Sequence, residues 1–329
     1  MSGGEPTATK SEQPLSGPTH ALDTAICITG AAGLVGQSLV RLLAKNGFNK
    51  LRCVDKDRRS LALMNALDPA VELLEGDLSD AQVAERAVTG SEILIIGQAQ
   101  ISGLTYEPFD QNTVVATRHL IEAAKRAGVR HIVLISSSVV LSEADDFYTR
   151  SKRAQERMVC ESGLPHTVLR PTLMFGDFDR KHLGWLRQFL AKSPVFPVPG
   201  DGRFIRQPLY VRDFCAVIAS ALERPPTGAV YDISGLEKIE YIEIIRTIRR
   251  VTGLRTPILR LPYRLFWALL WTAGKVLPRP PFSTQQLEAL VIDETFPVID
   301  WPNQFGVTPT PFETAAQQTF GAAATEPTA

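Results

Sequence analysis

Residues Thr29-Gly30-Ala31-Ala32-Gly33-Leu34-Val35-Gly36 restrict the fold of this chain more than any other stretch. They follow a short apolar run, Ala25 to Ile28, that reads as a buried strand. They lead into Leu34, Val35, Leu39, Val40 and Leu43, whose spacing is that of one helix face. A strand, a glycine-rich turn and a helix form the setting of a dinucleotide-binding loop. Gly30 permits a sharp turn, Gly33 leaves the backbone open to a pyrophosphate, and Gly36 lets the helix lie close to the sheet. The free N–H groups at the helix start then face the phosphates.

A second strand, Leu51 to Val54, closes on Asp55, about 20 residues past the loop, where the ribose hydroxyls of the adenosine half would lie. Asp55 would accept from those hydroxyls and repel a 2′-phosphate, which favours NAD over NADP. Lys56, Arg58 and Arg59 stand beside it and pull the other way. A helix N-cap is the structural alternative for Asp55.

Strand and helix signals alternate as far as residue 170. Val71–Leu74, Ile93–Ile96, Ile132–Ile135 and Thr167–Leu169 read as strands. The stretches 113–127 and 147–161 read as helices, with Gly128 and Gly163 just past their ends. Strands apolar on both faces and separated by helices imply a doubly wound parallel α/β sheet, covered on both sides. After Pro171 prolines become frequent, and helices are expected at 211–222 and 239–252. The expected organisation is a tail at 1–22, a Rossmann domain at 23–172, a smaller substrate-binding region at 173–318 partly interleaved with it, and a second tail at 319–329.

The chain has 35 Lys and Arg against 35 Asp and Glu, with no basic block to draw it onto nucleic acid. The four cysteines, Cys27, Cys53, Cys160 and Cys215, lack metal-ligand spacing, and Cys27 and Cys53 fall inside expected strands, consistent with a reducing cytoplasm. His20, His119, His131, His166 and His182 share no spacing either, so no metal is expected, although His182 beside Arg180 and Lys181 could face substrate phosphates. The apolar stretch 265–277 is too short to span a bilayer and carries Lys275. It reads as a buried amphipathic helix, with a peripheral membrane contact as the alternative because Trp267 and Trp271 lie one helical turn apart.

The chemistry gathers downstream. The fifth strand ends in Ser136-Ser137-Ser138, and Tyr148 and Lys152 follow, four apart on the next helix. That spacing puts both on one face, about 6 Å apart along the axis. Deprotonating a tyrosine near neutrality costs about 4 kcal/mol relative to its ordinary pKa near 10. One cation at about 4 Å, at an effective dielectric near 20, supplies a comparable amount. Lys152 is the candidate cation, Tyr148 the acid/base and Ser137 the clamp on a substrate oxygen.

On these residues the chain resembles the extended short-chain dehydrogenase/reductase superfamily, in its NAD-dependent epimerase/dehydratase branch, over residues 24 to 313. The resemblance rests on 29–36, Asp55, Gly76-Asp77-Leu78, Ser136-Ser137-Ser138, Tyr148 to Lys152, and Leu169-Arg170-Pro171 leading to Gly176. It implies NAD as cofactor, held by Gly30, Ala32, Gly33, Leu34, Val35, Gly36, Asp55, Asp77, Leu78, Ala99, Tyr148, Lys152 and Pro171. It also implies a catalytic set of Ser137, Tyr148 and Lys152, with Ser138 near the substrate. Arg206 is then the candidate for an anionic substrate group such as a diphosphate. Homodimerisation through the helices near 113–127 and 147–161 is a further implication.

The resulting expectation is hydride transfer on a secondary alcohol of a small molecule, a sugar or nucleotide-sugar, in an epimerase, dehydratase or dehydrogenase. Departures from the family pattern count against the nucleotide-sugar. Leu141-Ser142 stands where Tyr-Gly is usual, Leu173 stands near the usual asparagine, and Gly97-Gln98-Ala99-Gln100 replaces His-Leu-Ala-Ala. Two alternatives therefore stay open: a non-catalytic dinucleotide sensor or scaffold, and a hydroxysteroid-type dehydrogenase with 265–277 walling its pocket.

Overall fold

A computed structural model describes residues 22–65, 71–276 and 284–321. The first half alternates as β1 (Ile26–Thr29), α1 (Leu34–Lys45), β2 (Leu51–Asp55), α2 (Arg58–Asn65), β3 (Glu72–Glu75), α3 (Ala81–Val88), β4 (Ile93–Ile96), α4 (Glu107–Phe109), a π-helical stretch at Asp110–Val115, α5 (Ala116–Ala127), β5 (His131–Ile135), α6 (Phe147–Cys160) and β6 (His166–Pro171). The second half contributes β7 (Met174–Phe175), α7 (Leu183–Lys192), β8 (Phe196–Pro199), β9 (Ile205–Arg206), β10 (Leu209–Tyr210), α8 (Val211–Leu222), β11 (Val230–Ile233), β12 (Ile239–Glu240), α9 (Tyr241–Thr252), β13 (Ile258–Leu261) and α10 (Tyr263–Val276).

The central sheet has seven strands in the order β11-β6-β5-β4-β1-β2-β3, all parallel. Its inner strands are apolar on both sides: every residue of β1, β4 and β5 is buried. A strand of that kind needs cover on both faces, and helices supply it. One face packs under α1 and α8, with Leu39, Leu43, Phe214 and Ile218 meeting Ile26 and Ile28. The other packs under α3, α5 and α6 through Ala84, Leu120, Ala124 and Val159. From β1 the chain adds β2 and β3 on one side and β4 onward on the other, so the strand order reverses between β1 and β4, which opens a crevice at the carboxyl ends of those strands.

The second half is not a separate body. It returns β11 to the sheet edge beside β6, in register Val230↔Val168. It also sends Trp301 and Phe305 into the α1/α8 layer, where the Trp301 indole N–H donates to the Ser234 carbonyl at 2.9 Å. Its own apolar cluster gathers Phe175, Leu186, Phe196, Val198, Ile244, Ile245 and Phe312.

Several elements differ from the sequence expectation. The helix expected at 113–127 starts earlier, as α4 and the π-helical stretch, because Phe109, Thr113 and Val114 are buried and pull that face inward. A helix at Phe312–Phe320 carries the chain through residues 319 and 320, assigned above to a tail, and Phe320 anchors it in the second core. Residues 1–21 and 322–329, the rest of the expected tails, lie outside the described residues, as does residue 277 of the apolar stretch. Among the residues of α10 whose burial is described, Leu270 alone reaches core depth, whereas Leu265, Leu269 and Trp271 are about half exposed, so α10 is not the buried helix expected. No helix among the described residues is long and apolar enough to cross a membrane.

Candidate active site

β1 delivers the chain into the glycine loop at the crevice. Gly30 sits at φ +66, and a Cβ there would lie 2.8 Å from the Gln98 backbone nitrogen, so neither its dihedral nor its surroundings admit a side chain. A Cβ on Gly36 would come within 2.4 Å of the Ala31 carbonyl oxygen, which is the close helix-to-loop approach expected of the third glycine. Gly33 is the N-cap of α1 and has no side chain to cap it, and the first turn carries no acidic residue. The leading N–H groups of α1 are therefore left for a ligand at the crevice, with the helix dipole behind them.

Asp55 ends β2 and props the loop. One carboxylate oxygen accepts from the Ala32 N–H at 3.0 Å and the other from the Asp57 N–H at 3.0 Å. A carboxylate has about four acceptor positions, so two remain for ribose hydroxyls. Its cationic neighbours are engaged: Lys56 donates to the Asn112 side chain and lies 3.6 Å from Asp77, and Arg58 lies 3.6 Å from Glu75. Asp77 accepts from the Ser79 N–H at 3.0 Å, and that bond together with Lys56 holds its carboxyl below the usual range against partial burial.

These residues line a cleft of about 420 Å³. Gly30, Ala32, Gly33, Leu34, Val35, Gly36, Asp55, Asp77, Leu78, Ala99, Tyr148 and Lys152 all face it. Pro171, Ser137, Ser138 and Arg206 are not in its lining. Ser137 lies just behind, near enough to the Tyr148 phenol to lower its pKa in part, and it caps the 3-10 turn Ser138–Leu141. The Ser138 hydroxyl donates to the Pro171 carbonyl at 3.1 Å and is buried, so it ties β5 to β6.

Tyr148 and Lys152 share a face of α6, as their spacing requires, but Lys152 turns toward the sheet. Its ammonium donates to the Ile135 carbonyl at 2.8 Å and to the Gln155 side-chain oxygen. The residue is 2% exposed, and burial pulls its pKa from 10.5 to about 7, with Glu156 partly opposing. Burial raises the Tyr148 phenol above its ordinary value, and the Ser137 hydrogen bond pulls it back in part. Lys152 thus does not bring the acidification expected of it at Tyr148: the neighbouring amine is itself lowered to about 7, and desolvation is the largest influence on both groups.

Behind this pair lies a polar network that the sequence reading missed. Gln155 is fully buried and donates to the Thr117 hydroxyl at 2.9 Å. Glu156 accepts from the Ser136 hydroxyl at 2.6 Å and pairs with Arg170, which also reaches Asp232 on β11 at 3.3 Å. Gln155 stands three residues after Lys152, the helical spacing that puts it within reach, and that was a readable signal. Asp232 was not readable, because β11 is remote in sequence.

Phe178 holds a left-handed φ of +68, unusual for a bulky residue, and Arg41 stacks over its ring at 4.5 Å. The following Arg180 contributes to the lowered pKa of Asp57, so this loop, His182 included, lies over the end of the cleft nearest Asp55. Arg206 is 5% exposed. It donates to the carbonyls of Ile205 and Ile292, both at 2.7 Å, and of Leu290 at 2.6 Å, and it lies 3.5 Å from Glu294. Its donors fasten the 290–294 segment instead of pointing into the cleft. Among the described residues no His, Cys, Asp and Glu group could hold a metal. Cys27, Cys53 and Cys215 are buried, with thiol pKa values pushed up by desolvation.

The uncapped helix start, the open glycine cradle and the spare acceptors of Asp55 fit a dinucleotide. Comparisons with known proteins agree. The model of the NAD dependent epimerase/dehydratase family matches residues 26–234. The chain is 32% identical to the ceramide reductase of Caulobacter vibrioides over 239 residues, covering 72% of this chain and 73% of that one. It is 31% identical to sterol demethylase protein B of Methylococcus capsulatus, covering 72% and 77% of the two chains. Among solved structures it resembles the dTDP-glucose 4,6-dehydratase DesIV of Streptomyces venezuelae, solved with NAD bound. That match has a TM-score of 0.72 at 20% identity and covers 90% of this chain and 96% of that one, a likeness of fold. The chain belongs to the NAD-dependent epimerase/dehydratase family, enzymes of the extended short-chain dehydrogenase/reductase type.

Proposed function

We propose that this protein interconverts a secondary alcohol and a ketone on an apolar, lipid-like molecule. Bound NAD, held by the glycine loop and Asp55, would supply the hydride acceptor or, once reduced, the donor. Tyr148 exchanges a proton with the substrate oxygen at its phenol. Ser137, close behind that phenol, gives its single O–H to it and so favours the deprotonated form. Lys152 has three donors and two are engaged, so one remains for the cleft. Its pKa near 7 lets it pass between charged and neutral forms at working pH, which suits a group that relays a proton to and from Tyr148. Gln155 and the Ile135 carbonyl hold that amine in place.

The observation that carries the choice of substrate is Arg206. A nucleotide-sugar needs a free cation for its diphosphate, and the guanidinium at the candidate position is consumed by three backbone carbonyls. The missing asparagine near Leu173 points the same way. The names of two relatives above 30% identity, a ceramide reductase and a sterol demethylase protein, add support for a lipid.

The test is turnover, followed as NADH absorbance, on matched panels of long-chain or sterol alcohols and ketones and of UDP- and dTDP-sugars. Turnover confined to the lipid panel is expected. Turnover confined to the sugar nucleotides would overturn the substrate assignment while keeping the catalytic one. Binding of NAD with no turnover on either panel, by wild type and Tyr148→Phe alike, would favour a dinucleotide sensor.

A further inference from the structure

α10 gathers several exposed apolar side chains on one short helix. Leu265, Leu269 and Trp271 are each about half exposed on a helix of 14 residues, and Leu259 and Arg260 are exposed on β13 just before it. Trp267 and Trp271 stack with ring centroids 6.4 Å apart, and the Lys275 ammonium sits 4.0 Å over the Trp271 ring. Among the described residues α10 packs mainly on the short helix Thr284–Leu290, where the Trp267 indole donates to Glu288 at 3.2 Å.

The sequence leading into and through it is cationic, with Glu288 the carboxylate that meets it at Trp267. From Ile244 to Leu287 the chain has eight Lys and Arg and no Asp or Glu, although its net charge is zero. Arg246 and Arg250 are neutralised by Glu243 and Glu313. Arg255, Arg260, Arg264 and Lys275 have no carboxylate at ion-pair distance among the described residues.

A helix with exposed leucines, tryptophans at the flank and lysine or arginine in its first and last turns fits the headgroup–acyl boundary of a bilayer. The aliphatic and indole groups enter the apolar layer while the cations reach anionic headgroups. At about 21 Å the helix is too short to span and suited to lying flat. We propose that α10, with the β13 edge, docks this protein on an anionic lipid surface. A protein partner with a matching acidic groove or a second copy of the chain would be needed otherwise, and a second copy would bring the same four cations together. The docking does not depend on the substrate assigned above, although it would deliver the cleft to a lipid substrate.

The experiment uses the full chain and co-sedimentation with vesicles of phosphatidylcholine alone, or of phosphatidylcholine with phosphatidylglycerol in equal parts. Binding to the anionic vesicles, weakened by salt and accompanied by a blue shift of tryptophan emission, is expected. Arg264→Gln with Lys275→Gln should weaken it on the order of thirtyfold. Leu265→Ser with Leu269→Ser should remove the blue shift. NAD affinity and thermal unfolding, unchanged in both variants, exclude misfolding as the cause. The proposal is overturned if wild type stays in the supernatant with anionic vesicles, or if it sediments equally with both vesicle types and in both variants. It is also overturned if the leucine pair instead controls a concentration-dependent dimer in lipid-free solution. Because vesicle binding is read without substrate, its outcome is separable from that of the turnover panels.

Discussion

The Lys152 ammonium donates to the Ile135 carbonyl at 2.8 Å and so fastens α6 to the carboxyl end of β5. The same amine borders the cleft four residues from Tyr148. One side chain thus joins the sheet edge to the proposed acid/base, and several predictions turn on that neighbourhood.

Tyr148→Phe removes the phenolic proton and keeps the ring. Positioned acid/base catalysis is worth about 10²–10⁴-fold, so kcat should fall within that range while NAD affinity stays near wild type. Steady-state kinetics beside calorimetric NAD titration decide this, and an unchanged kcat would remove Tyr148 from the mechanism.

Lys152 has a folded pKa near 7 against an ordinary 10.5. Between those values the unfolded chain binds the extra proton, so this residue makes stability rise with pH, by up to about 1.4 kcal/mol per pH unit. Below pH 7 the burial penalty is fully present, and above 10.5 it is gone. Lys152→Met should therefore gain on wild type as pH is lowered from 10.5 to 7 and then hold a constant difference. Denaturant melts across that range check it; a difference independent of pH would show that the amine is not desolvated.

Gly33→Val and Gly36→Val should separate binding from folding. At Gly33 a side chain enters the phosphate cradle, with its nearest protein contact at 3.2 Å from Gly30, so NAD affinity falls and Tm changes little. At Gly36 the Cβ meets three Ala31 backbone atoms within 2.6 Å, so the loss appears chiefly in Tm. The paired measurement is Tm without cofactor against NAD dissociation constant.

Arg170 sits between Glu156 and Asp232, all three mostly buried. Arg170→Met leaves two carboxylates without their cation and should cost about 3–5 kcal/mol of unfolding free energy. Urea denaturation provides the number, and a loss under 1 kcal/mol would mean solvent already screens the network.

Cofactor preference follows from Asp55 and from the engagement of its neighbours. Lys56 and Arg58 are bonded or paired with Asn112, Asp77 and Glu75, leaving Arg59 as the adjacent cation without a carboxylate partner at ion-pair distance among the described residues. NAD should bind more tightly than NADP, and Asp55→Ala should narrow the gap while loosening the Ala32 turn that the carboxylate holds. Titration of both cofactors against both proteins measures it.

The doubly wound sheet and its cofactor loop could be read from residues 25–55 because their determinants are local. A glycine with positive φ, a close helix approach at Gly36 and the alternation of apolar strands with helices each act within a few residues. Tyr148 and Lys152 were readable by the same logic, since a spacing of four settles which face of a helix they share. The sequence could not show that Lys152 turns to the Ile135 carbonyl, 17 residues away, because that contact and the burial that sets its protonation exist only once α6 packs on the sheet. Arg206 misled for a related reason. A guanidinium serves a ligand or the backbone according to which carbonyls the fold brings to it, and those of Leu290 and Ile292 lie more than 80 residues along. The exposure of α10 has the same origin: its apolar pattern is written in 263–276, but whether that pattern is covered depends on what the rest of the chain packs against it. Local sterics and periodicity thus determined the sheet, the loop and the helix faces, whereas desolvation and hydrogen-bond partnership, which exist only once distant segments meet, decided the charge state of the site and the allegiance of its cations.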